Sequence, residues 1–482
     1  MNKLFSFLPS FSLSILLMGI VFYSCQTKSA KPDRPPNVII IFTDDQGYED
    51  VGCFGSPDIE TPHLDQMARE GVKLTHFYAA QAVCSASRAA LLTGCYPNRI
   101  GVHAAYMPNS KKGLNHDEVT IAEMLKAKGY NNGIFGKWHL GDHPSLLPLN
   151  HGFDEYYGIP YSNDMWPYHP QQGPIFNFGP LPLYEQGTII DTLEDQSTLT
   201  TEITEKSIDF IRRNQDQPFF LYVPHPQPHV PLFVSDKFKN KSKRGLYGDV
   251  IMEIDWSTGQ ILQALKEYGI DDNTLVIYTS DNGPWINYGE HAGSAGILRE
   301  GKGTAWEGGQ REPFIARFPG VIPKGLEVAT PTMAIDLLPT IAEWTGAVLP
   351  PNFIDGKSIR SILTGNSNEP VQEAYFHYYK TNELHAVTHE KWKLYFPHTY
   401  RSLNGREGGK DGFPVPYEQL NVTQLELYNL EEDPSETTDI ASQHPDIVQN
   451  MEAIADEMRG KLGDALQDQE GSENRPPAII LQ

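Results

Sequence analysis

Two distant stretches of the sequence share one pattern, a continuous β-branched run that ends in acidic and amide residues. Asn37–Phe42 precedes Thr43-Asp44-Asp45, and Thr274–Thr279 precedes Ser280-Asp281-Asn282-Gly283. Such runs are typical of strands covered on both faces, as in a doubly wound α/β sheet, where ligands collect at the carboxyl ends of parallel strands. We therefore expect both clusters at one sheet edge, as an all-oxygen site that suits a hard cation such as Ca²⁺. The alternative is that each aspartate only caps a turn or a helix.

The composition is that of an ordinary globular protein. The 482 residues are 39% hydrophobic and 21% charged, which is enough for more than one core. The 38 Lys and Arg against 61 Asp and Glu give a net charge of −23, which opposes binding to nucleic acid. The same field repels polyanions at long range, so we expect any anion site to be locally basic.

The first 25 residues resemble an export signal. Lys3 supplies the charged start, and Leu13–Phe22 is an apolar core too short for a membrane anchor. The ending Phe22-Tyr23-Ser24-Cys25 resembles a bacterial lipobox, so Cys25 is a candidate lipid anchor, with simple signal cleavage as the alternative. Residues 26–36 are polar and proline-rich, which is typical of a flexible tether. These features predict an exported protein, periplasmic or held at the cell surface or outer membrane as a lipoprotein.

Beyond Cys25 the sequence has three cysteines, Cys53, Cys84 and Cys95. An odd number in an exported protein indicates a free reactive thiol or a modified one. Cys53 and Cys95 either form a bridge or stay buried and reduced, and the sequence alone leaves both alternatives open.

Cys84 and Arg88 lie at the head of an Ala/Leu-rich run that stops at Gly94. This pattern predicts a helix on which both side chains share one face. The helix N-terminus adds unpaired N–H groups, which suit an oxyanion. The alternative is a small buried cysteine on a core helix with an exposed arginine.

Two further segments place cations near predicted strand ends. Gly136–Gly141 carries Lys137 and His139, which project to the same side of an extended segment. Leu298–Pro313 is dense in glycine around Lys302, which is typical of a loop that binds an anion closely. The alternatives are a core histidine beside a salt-bridged lysine, and a mobile surface loop.

The rest of the chain alternates in the α/β manner. Further predicted strands are Tyr130–Phe135, Phe219–Val223 and Phe314–Phe318, and predicted helices are Leu64–Glu70, Val119–Lys128, Ala334–Trp344 and Val448–Leu462. Directly after Phe219–Val223, Pro224–Pro231 is predicted to be a proline-stiffened loop with two histidines, His225 and His229. Residues 37–358 form the predicted main domain, and 359–482 a smaller α+β domain with a short antiparallel sheet.

Six of these motifs, in this order, resemble the formylglycine-dependent type I sulfatases of the arylsulfatase A and N-acetylgalactosamine-6-sulfatase kind. The resemblance runs from about Asn37 to Leu430, and it rests on Thr43-Asp44-Asp45, Cys84-Ser85-Ala86-Ser87-Arg88, Gly136-Lys137-Trp138-His139, Pro228-His229-Val230-Pro231, Ser280-Asp281-Asn282-Gly283 and Gly301-Lys302-Gly303-Thr304. It implies an alkaline-phosphatase-like mixed sheet sandwiched by helices, and one Ca²⁺ ion held by Asp44, Asp45, Cys84, Asp281 and Asn282.

The resemblance also implies that Cys84 is oxidised to formylglycine, whose hydrated form attacks sulfur and then releases sulfate with help from His139. Once one hydroxyl of the geminal diol carries the sulfate, the other can expel it by forming the aldehyde. A serine sulfate ester would instead have to be cleaved by a second nucleophile. Arg88, Lys137 and Lys302 would neutralise charge on the sulfuryl oxygens, and His229 or Lys302 would protonate the leaving oxygen. Ser162 matches a family position near the sulfate.

One position departs from the commonest family signature, which has proline where this chain has Ala86. By resemblance, the alanine form fits a radical-type anaerobic maturation enzyme better than the oxygen-dependent one.

We therefore predict an enzyme that hydrolyses a sulfate ester. Two other classes remain as alternatives, a related phosphonate or phosphate monoester hydrolase and an inactive glycan-binding lipoprotein.

The substrate is predicted from three variable loops, 142–150, 164–186 and 398–417. They are rich in aromatic and polar side chains, namely Trp166, Tyr168, His169, Phe176, Tyr184, His398, Tyr400 and Arg401. Such side chains suit a sugar ring, although they would equally pack two domains together. A basic excess around Arg88, Lys137 and Lys302 would favour exo-action on a terminal sulfated sugar over binding of long polyanions.

Overall fold

The first predicted strand lies near the middle of a large sheet. It spans Asn37–Thr43, and all seven of its residues are buried. Val38, Ile40 and Phe42 pack into one hydrophobic cluster, whereas Ile39 and Ile41 pack into a second. Because successive side chains of a strand point to opposite faces, this sheet is covered on both sides, as the sequence predicted.

The computed structural model describes residues 34–481 except 172, 174 and 175, together with residues 1 and 4. The predicted signal segment, Cys25 and most of the tether lie outside the described residues. Within the described part, none of the helices has the length and apolar character that a membrane crossing requires. Residues from Pro35 onward form one compact unit.

The strands are, in chain order, β1 (Asn37–Thr43), β2 (Val72–Tyr78), β3 (Lys112–Gly113), β4 (Asn131–Lys137), β5 (Glu155–Ile159), β6 (Leu181–Glu185), β7 (Thr188–Leu193), β8 (Phe219–Pro224), β9 (Thr274–Ser280), β10 (Arg311–Arg317), β11 (Leu326–Val328), β12 (Thr332–Met333), β13 (Tyr375–Tyr379), β14 (Glu383–His389), β15 (Trp392–Tyr395), β16 (His398–Ser402), β17 (Glu418–Val422), β18 (Glu426–Asn429), β19 (Gly463–Asp464), β20 (Gln469–Glu470) and β21 (Ala478–Ile479).

The helices are α1 (Pro62–Glu70), α2 (Cys84–Thr93), α3 (Ile121–Ala127), α4 (Leu199–Asn214), α5 (Leu246–Glu267), α6 (Glu307–Gln310), α7 (Leu337–Thr345), α8 (Arg360–Leu363) and α9 (Pro445–Leu462).

Among the described residues, the large sheet has eleven strands in the order β11-β2-β10-β9-β1-β8-β4-β5-β6-β7, with β12 beside β2. Its centre is parallel, because β9, β1, β8, β4 and β5 all run in one direction. Strands β10, β6 and β7 are antiparallel to their neighbours, so the sheet is mixed. The predicted mixed sheet between helices is confirmed.

Helices cover both faces of this sheet. Apolar side chains of α2, α3 and α7 belong to the cluster that receives Val38 and Ile40. Those of α1, α4 and α5 belong to the cluster that receives Ile39 and Ile41. The carboxyl ends of the parallel strands are therefore the open edge, where loops can build a site.

The C-terminal part forms its own antiparallel sheet, in the order β13-β14-β15-β18. Helix α9 packs on it through Met451, Ala455 and Leu462. Strand β21, near residue 480, pairs with β3, which lies in the first third of the chain. The division at residue 358 remains a prediction, whereas the small antiparallel sheet is confirmed.

Helices α4 and α5 were not predicted from the sequence, and two predicted segments differ in detail. The predicted helix Ala334–Trp344 begins with a 3-10 turn, Ala334–Asp336, before α7 starts. The predicted loop 398–417 starts with a strand, β16, which pairs with β17.

Candidate active site

The two acidic clusters meet at the carboxyl edge of the sheet. Thr43 and Ser280 are paired residues of β1 and β9, so the residues that follow them are neighbours. The backbone N–H of Asp45 donates to Asp281 Oδ1 at 3.1 Å, and Asn282 Nδ2 donates to Asp45 Oδ1 at 2.7 Å. Asp44, Asp45, Asp281 and Asn282 are each at most 3% exposed. The predicted convergence is confirmed, and separate turn capping does not describe these side chains.

Helix α2 brings Cys84 and Arg88 to this edge. Cys84 is the first helical residue, and the helix ends where Gly94 adopts a left-handed φ of 69°. Arg88 is fully buried, and its Nη2 lies 2.8 Å from Asp281 Oδ2 and 3.1 Å from Asp44 Oδ2. The alternative of an exposed arginine is therefore wrong.

The environment of Cys84 disfavours a thiolate. Burial, and then the nearby charge of Asp44, raise the pKa of Cys84 to about 12 despite Lys137 and Lys302. An unmodified thiol here stays protonated at neutral pH and is a weak nucleophile.

Lys137 is the last residue of β4. Its Nζ donates to Asp44 Oδ2 and, at 3.1 Å, to Ser162 Oγ, which follows β5. His139 is also in the site, but not by extension of the strand, because its φ is +63°. The extended geometry inferred for this pair is therefore wrong, although both residues reach the site.

His139 is held as a neutral base. Its Nε2 lies 2.9 Å from the carbonyl oxygen of Tyr106, and since a carbonyl only accepts, Nε2 carries the proton. Its buried Nδ1 has no hydrogen-bond partner among the described residues. Burial, and then the charges of Lys137 and Arg88, lower the pKa of His139 well below its usual value.

The Pro224–Pro231 loop contributes one of its two histidines. His229 Nδ1 donates to the carbonyl oxygen of Val230 at 2.6 Å, and its Nε2 lies 3.4 Å from Ser162 Oγ and 3.5 Å from Asp45 Oδ2. His225 is 3.4 Å from Ser257 Oγ of α5, where burial lowers its pKa to about 4. Only His229 belongs to the site.

The glycine-rich loop contributes Lys302. Its Nζ donates to both oxygens of Asp45 at 2.6 and 2.8 Å, and to Cys84 Sγ at 3.5 Å. It also lies 4.5 Å from the centre of the Trp285 ring. Lys302 thus links Asp45, which follows β1, to Cys84. Because Lys302 is buried, the alternative of a mobile surface loop is wrong.

The charges of the protein groups nearly cancel. Arg88, Lys137 and Lys302 each contact a carboxylate of Asp44, Asp45 or Asp281. Burial opposes ionisation of Asp44, yet Lys137 and Arg88 outweigh it and hold its pKa far below the usual value. The three cations are matched by the three carboxylates that they contact, so the predicted local excess of basic residues is not found among these six side chains.

The donor set fits a divalent cation. Oδ1 of Asp44 and Oδ1 of Asn282 are buried without a partner among the described residues. Ligand atoms of Asp44, Asp45, Cys84 and His229 lie within 4.8 Å of one another. Both oxygens of Asp281 already accept hydrogen bonds, from the Asp45 N–H and from Arg88. These contacts support a metal site at this edge, although both oxygens of Asp45 also accept hydrogen bonds, from Asn282 and Lys302.

A cavity of about 440 Å³ opens above Cys84. His139, Ser162, His229 and Lys302 line it with Cys84, and so do Asp164, Met165, Phe176, Phe178, Trp285, Asn287, Tyr288 and Arg401. Of the aromatic residues predicted to meet substrate, Phe176 lines the cavity, whereas His398 and Tyr400 are buried in β16. Trp285, Asn287 and Tyr288 were not predicted, although they directly follow the Asp281 motif.

Two family models match the amino-acid sequence along most of the chain. One described as "Sulfatase" matches residues 36–347, and one described as "C-terminal region of aryl-sulfatase" matches residues 371–480. The chain belongs to the sulfatase family.

Individual relatives agree with this membership. Arylsulfatase A of Homo sapiens is 36% identical over 452 residues, 87% of each chain. N-acetylgalactosamine-6-sulfatase of Canis lupus familiaris is 34% identical over 466 residues, which are 90% of this chain and 88% of that one. The solved structure of Ps i-CgsB in complex with k-i-k-neocarrahexaose is 30% identical with a TM-score of 0.73, covering 88% of this sulfatase and 93% of that chain.

Three predictions are thereby confirmed. This sulfatase has the alkaline-phosphatase-like fold with a small C-terminal antiparallel sheet, it is a sulfuric ester hydrolase, and it resembles the two relatives that the sequence motifs indicated.

Proposed function

We propose that this sulfatase removes sulfate from a terminal sulfated sugar, using formylglycine made from Cys84 as the nucleophile. The observation that carries the proposal is the position of Cys84, which lies at the cavity beside Lys302 and close to the Asp44 cluster. A buried nucleophile position between paired lysine and arginine side chains and an open cavity fits attack on an anionic ester bound from the cavity side.

The proposed metal is Ca²⁺, held by Asp44, Asp45, Asn282 and Asp281 together with the residue at position 84. Carboxylate and amide oxygens are the ligands that calcium prefers. When bound, the ion and the hydrated formylglycine supply a Lewis acid and a hydroxyl nucleophile at this position. An alanine at position 86, inside α2, supports maturation by the radical-type enzyme.

Three cations of the chain would bind the sulfuryl oxygens. Arg88 and Lys137 are fully buried and Lys302 is 7% exposed, so their charges act with little screening by water. Asp44, Asp45 and Asp281 fix their positions, which keeps them aligned before the substrate arrives.

Two histidines would move protons. His139 presents an unprotonated Nδ1, as a general base must. Because His229 Nδ1 already donates to Val230, Nε2 carries a proton only in the imidazolium form. In that form Nε2, which lies in the cavity wall next to Ser162, would donate to the oxygen of the leaving alcohol, while Ser162 Oγ would hydrogen-bond the sulfate.

The cavity supports a sugar as the alcohol part of the substrate. A volume of about 440 Å³ matches one or two sugar rings, which favours a chain end over an internal unit of a polymer. Trp285 and Tyr288 offer aromatic faces, and Asp164 and Asn287 each have a buried oxygen without a partner among the described residues, which can accept from hydroxyl groups. The bound k-i-k-neocarrahexaose of Ps i-CgsB supports the same class of substrate.

The predicted export signal and the lipobox-like Cys25 support a bacterial protein held outside the cytoplasm. This location is part of the proposal.

The test compares turnover of an aryl sulfate, the matching aryl phosphate and a set of sulfated mono- and oligosaccharides. We expect sulfate turnover well above phosphate turnover, and terminal sulfates released before internal ones. Cys84→Ala should abolish turnover, whereas Cys95→Ala, at another buried free thiol, should not. Faster phosphate turnover, or activity that survives Cys84→Ala, would overturn the proposal.

A further inference from the structure

Arg401 lines the cavity together with Lys302, but it lies outside the cluster around Cys84. It lies on β16, in the C-terminal part of the chain. Its Nε donates to the carbonyl oxygen of Lys302 at 2.9 Å, and its Nη2 donates to the same oxygen. The Arg401 guanidinium is thus fixed to the backbone of the loop that carries Lys302.

The local backbone is shaped to admit this guanidinium. Gly303 has a φ of +83°, and a Cβ built on it would lie 2.4 Å from Cζ of Arg401. Any side chain at 303 would therefore displace Arg401. The ring of Tyr417 covers the guanidinium at 4.8 Å, so Arg401 is held between a carbonyl oxygen and an aromatic face.

Arg401 differs from the three cations below it in having no carboxylate partner. Arg88, Lys137 and Lys302 each form an ion pair, whereas Arg401 has no carboxylate of a described residue within 4 Å. The nearby Glu300 carboxyl, whose pKa burial raises and Arg401 helps to lower, accepts instead from Ser402 Oγ. Its Nη1 likewise donates no hydrogen bond to the described residues. A fixed, unpaired guanidinium at the wall of a cavity is suited to bind an oxyanion.

The net charge of −23 affects long and short anionic substrates differently. A long polyanion is repelled by the whole field, but a short substrate at the cavity feels mainly the nearby groups. With the charges of the deeper cluster balanced, Arg401 is the protein cation left to recognise a second anionic group.

We propose that Arg401 binds a second oxyanion of the substrate, a carboxylate or a further sulfate on the sugar that carries the scissile ester. This inference rests on the proposed function, because it assigns the substrate class of the same site. Arg401 selects among substrates by this contact, and the sulfate that is removed is held by Arg88, Lys137 and Lys302.

The test uses three substrates that share one scissile sulfate: a neutral sulfated sugar, its uronic acid analogue and its disulfated analogue. Wild-type protein should show a higher kcat/KM for at least one acidic analogue than for the neutral sugar. Arg401→Gln should lower kcat/KM for the preferred acidic substrate roughly 10- to 100-fold, mainly through KM, and change the neutral sugar little. Which analogue responds identifies the group as carboxylate or sulfate.

Arg406→Gln is the matched control. It removes the same charge from the following loop, where Arg406 pairs with Glu418 and does not line the cavity, and we expect it to leave all three substrates unchanged. Arg401→Lys should keep part of the preference, because lysine retains the charge but not the planar fork.

A preference for the neutral sugar in wild-type protein would overturn the inference, even if Arg401→Gln failed to fold. So would an equal loss on all three substrates, which would mean that Arg401 only positions Lys302. If wild-type protein cleaves neither these sugars nor an aryl sulfate, the proposed function itself falls, and this inference with it.

Discussion

Lys302 Nζ lies 3.5 Å from Cys84 Sγ and within 2.8 Å of both oxygens of Asp45. One side chain therefore links the residue at the nucleophile position to the acidic cluster at the end of β1. Burial tends to lower the pKa of Lys302, but Asp45 and then Cys84 raise it overall, so the ammonium stays charged at neutral pH.

Replacing Lys302 should damage catalysis more than binding. Lys302→Met removes a buried cation aimed at the sulfuryl oxygens, and we expect kcat for an aryl sulfate to fall by about 10²- to 10³-fold. Lys357→Met, at an exposed lysine, serves as the control. A normal kcat in folded Lys302→Met protein would refute this role.

Replacing Arg88 should lower stability. Arg88→Met leaves Asp44 and Asp281 without their shared partner in a fully buried site, at a cost of about 3–5 kcal/mol in the free energy of unfolding. Urea denaturation in calcium-free buffer measures it. Arg212→Met breaks an exposed pair with Asp209 and should cost less than about 1 kcal/mol. Equal losses of unfolding free energy in the two variants would contradict the buried pairing of Arg88 with Asp44 and Asp281.

Metal removal should lower the thermal stability of the folded protein. With free Ca²⁺ at about 100 times its Kd, the linkage is roughly 2.7 kcal/mol. Chelation should therefore lower Tm, and Ca²⁺ should restore it better than Zn²⁺ or Mg²⁺, because the unpartnered ligand atoms of Asp44 and Asn282 are oxygens. A better recovery with Zn²⁺ would instead favour Cys84 and His229 as the main ligands.

Asp255 should make stability depend on pH. Burial raises the pKa of Asp255 to about 7, although it accepts the N–H groups of Leu64 and His63 at the start of α1. Because the folded state holds this proton more tightly than the unfolded state, the stabilisation is complete below about pH 4 and is lost as pH rises toward 7.

Asp255→Asn keeps the acceptor oxygen and removes this titration. Between pH 4 and 7 its unfolding free energy should fall less steeply than that of wild type, by up to about 1.4 kcal/mol per pH unit. Asp446→Asn, at an exposed residue of α9, should leave the wild-type slope unchanged. Identical slopes for Asp255→Asn and wild type would refute the assignment.

The sequence located most of the site because its chemistry is carried by short motifs at strand ends. Asp44 and Asp281 directly follow β1 and β9, and the parallel pairing of those strands brings the two together. Arg88 follows Cys84 by one helical turn, so a helix prediction already placed both on one face. Such local rules do not depend on tertiary contacts elsewhere in the chain.

Contacts that depend on tertiary packing could not be predicted in this way. Helix α5 contains Gly248 and Gly259, which lower its helix propensity, and it was missed; Gly259 is required because a Cβ there would lie 2.5 Å from the ring of His63. The same holds for the pairing of each active-site cation with a carboxylate and for the contact of Arg401 with Lys302. These residues are far apart in sequence, so their spacing does not predict that they touch.

The most direct test is the mass of the peptide that contains Cys84, taken from active protein made in its own host. We expect this residue to carry an aldehyde in place of the thiol, and the modified fraction to track the rate of sulfate release. An intact Cys84 thiol in fully active protein would contradict this expectation.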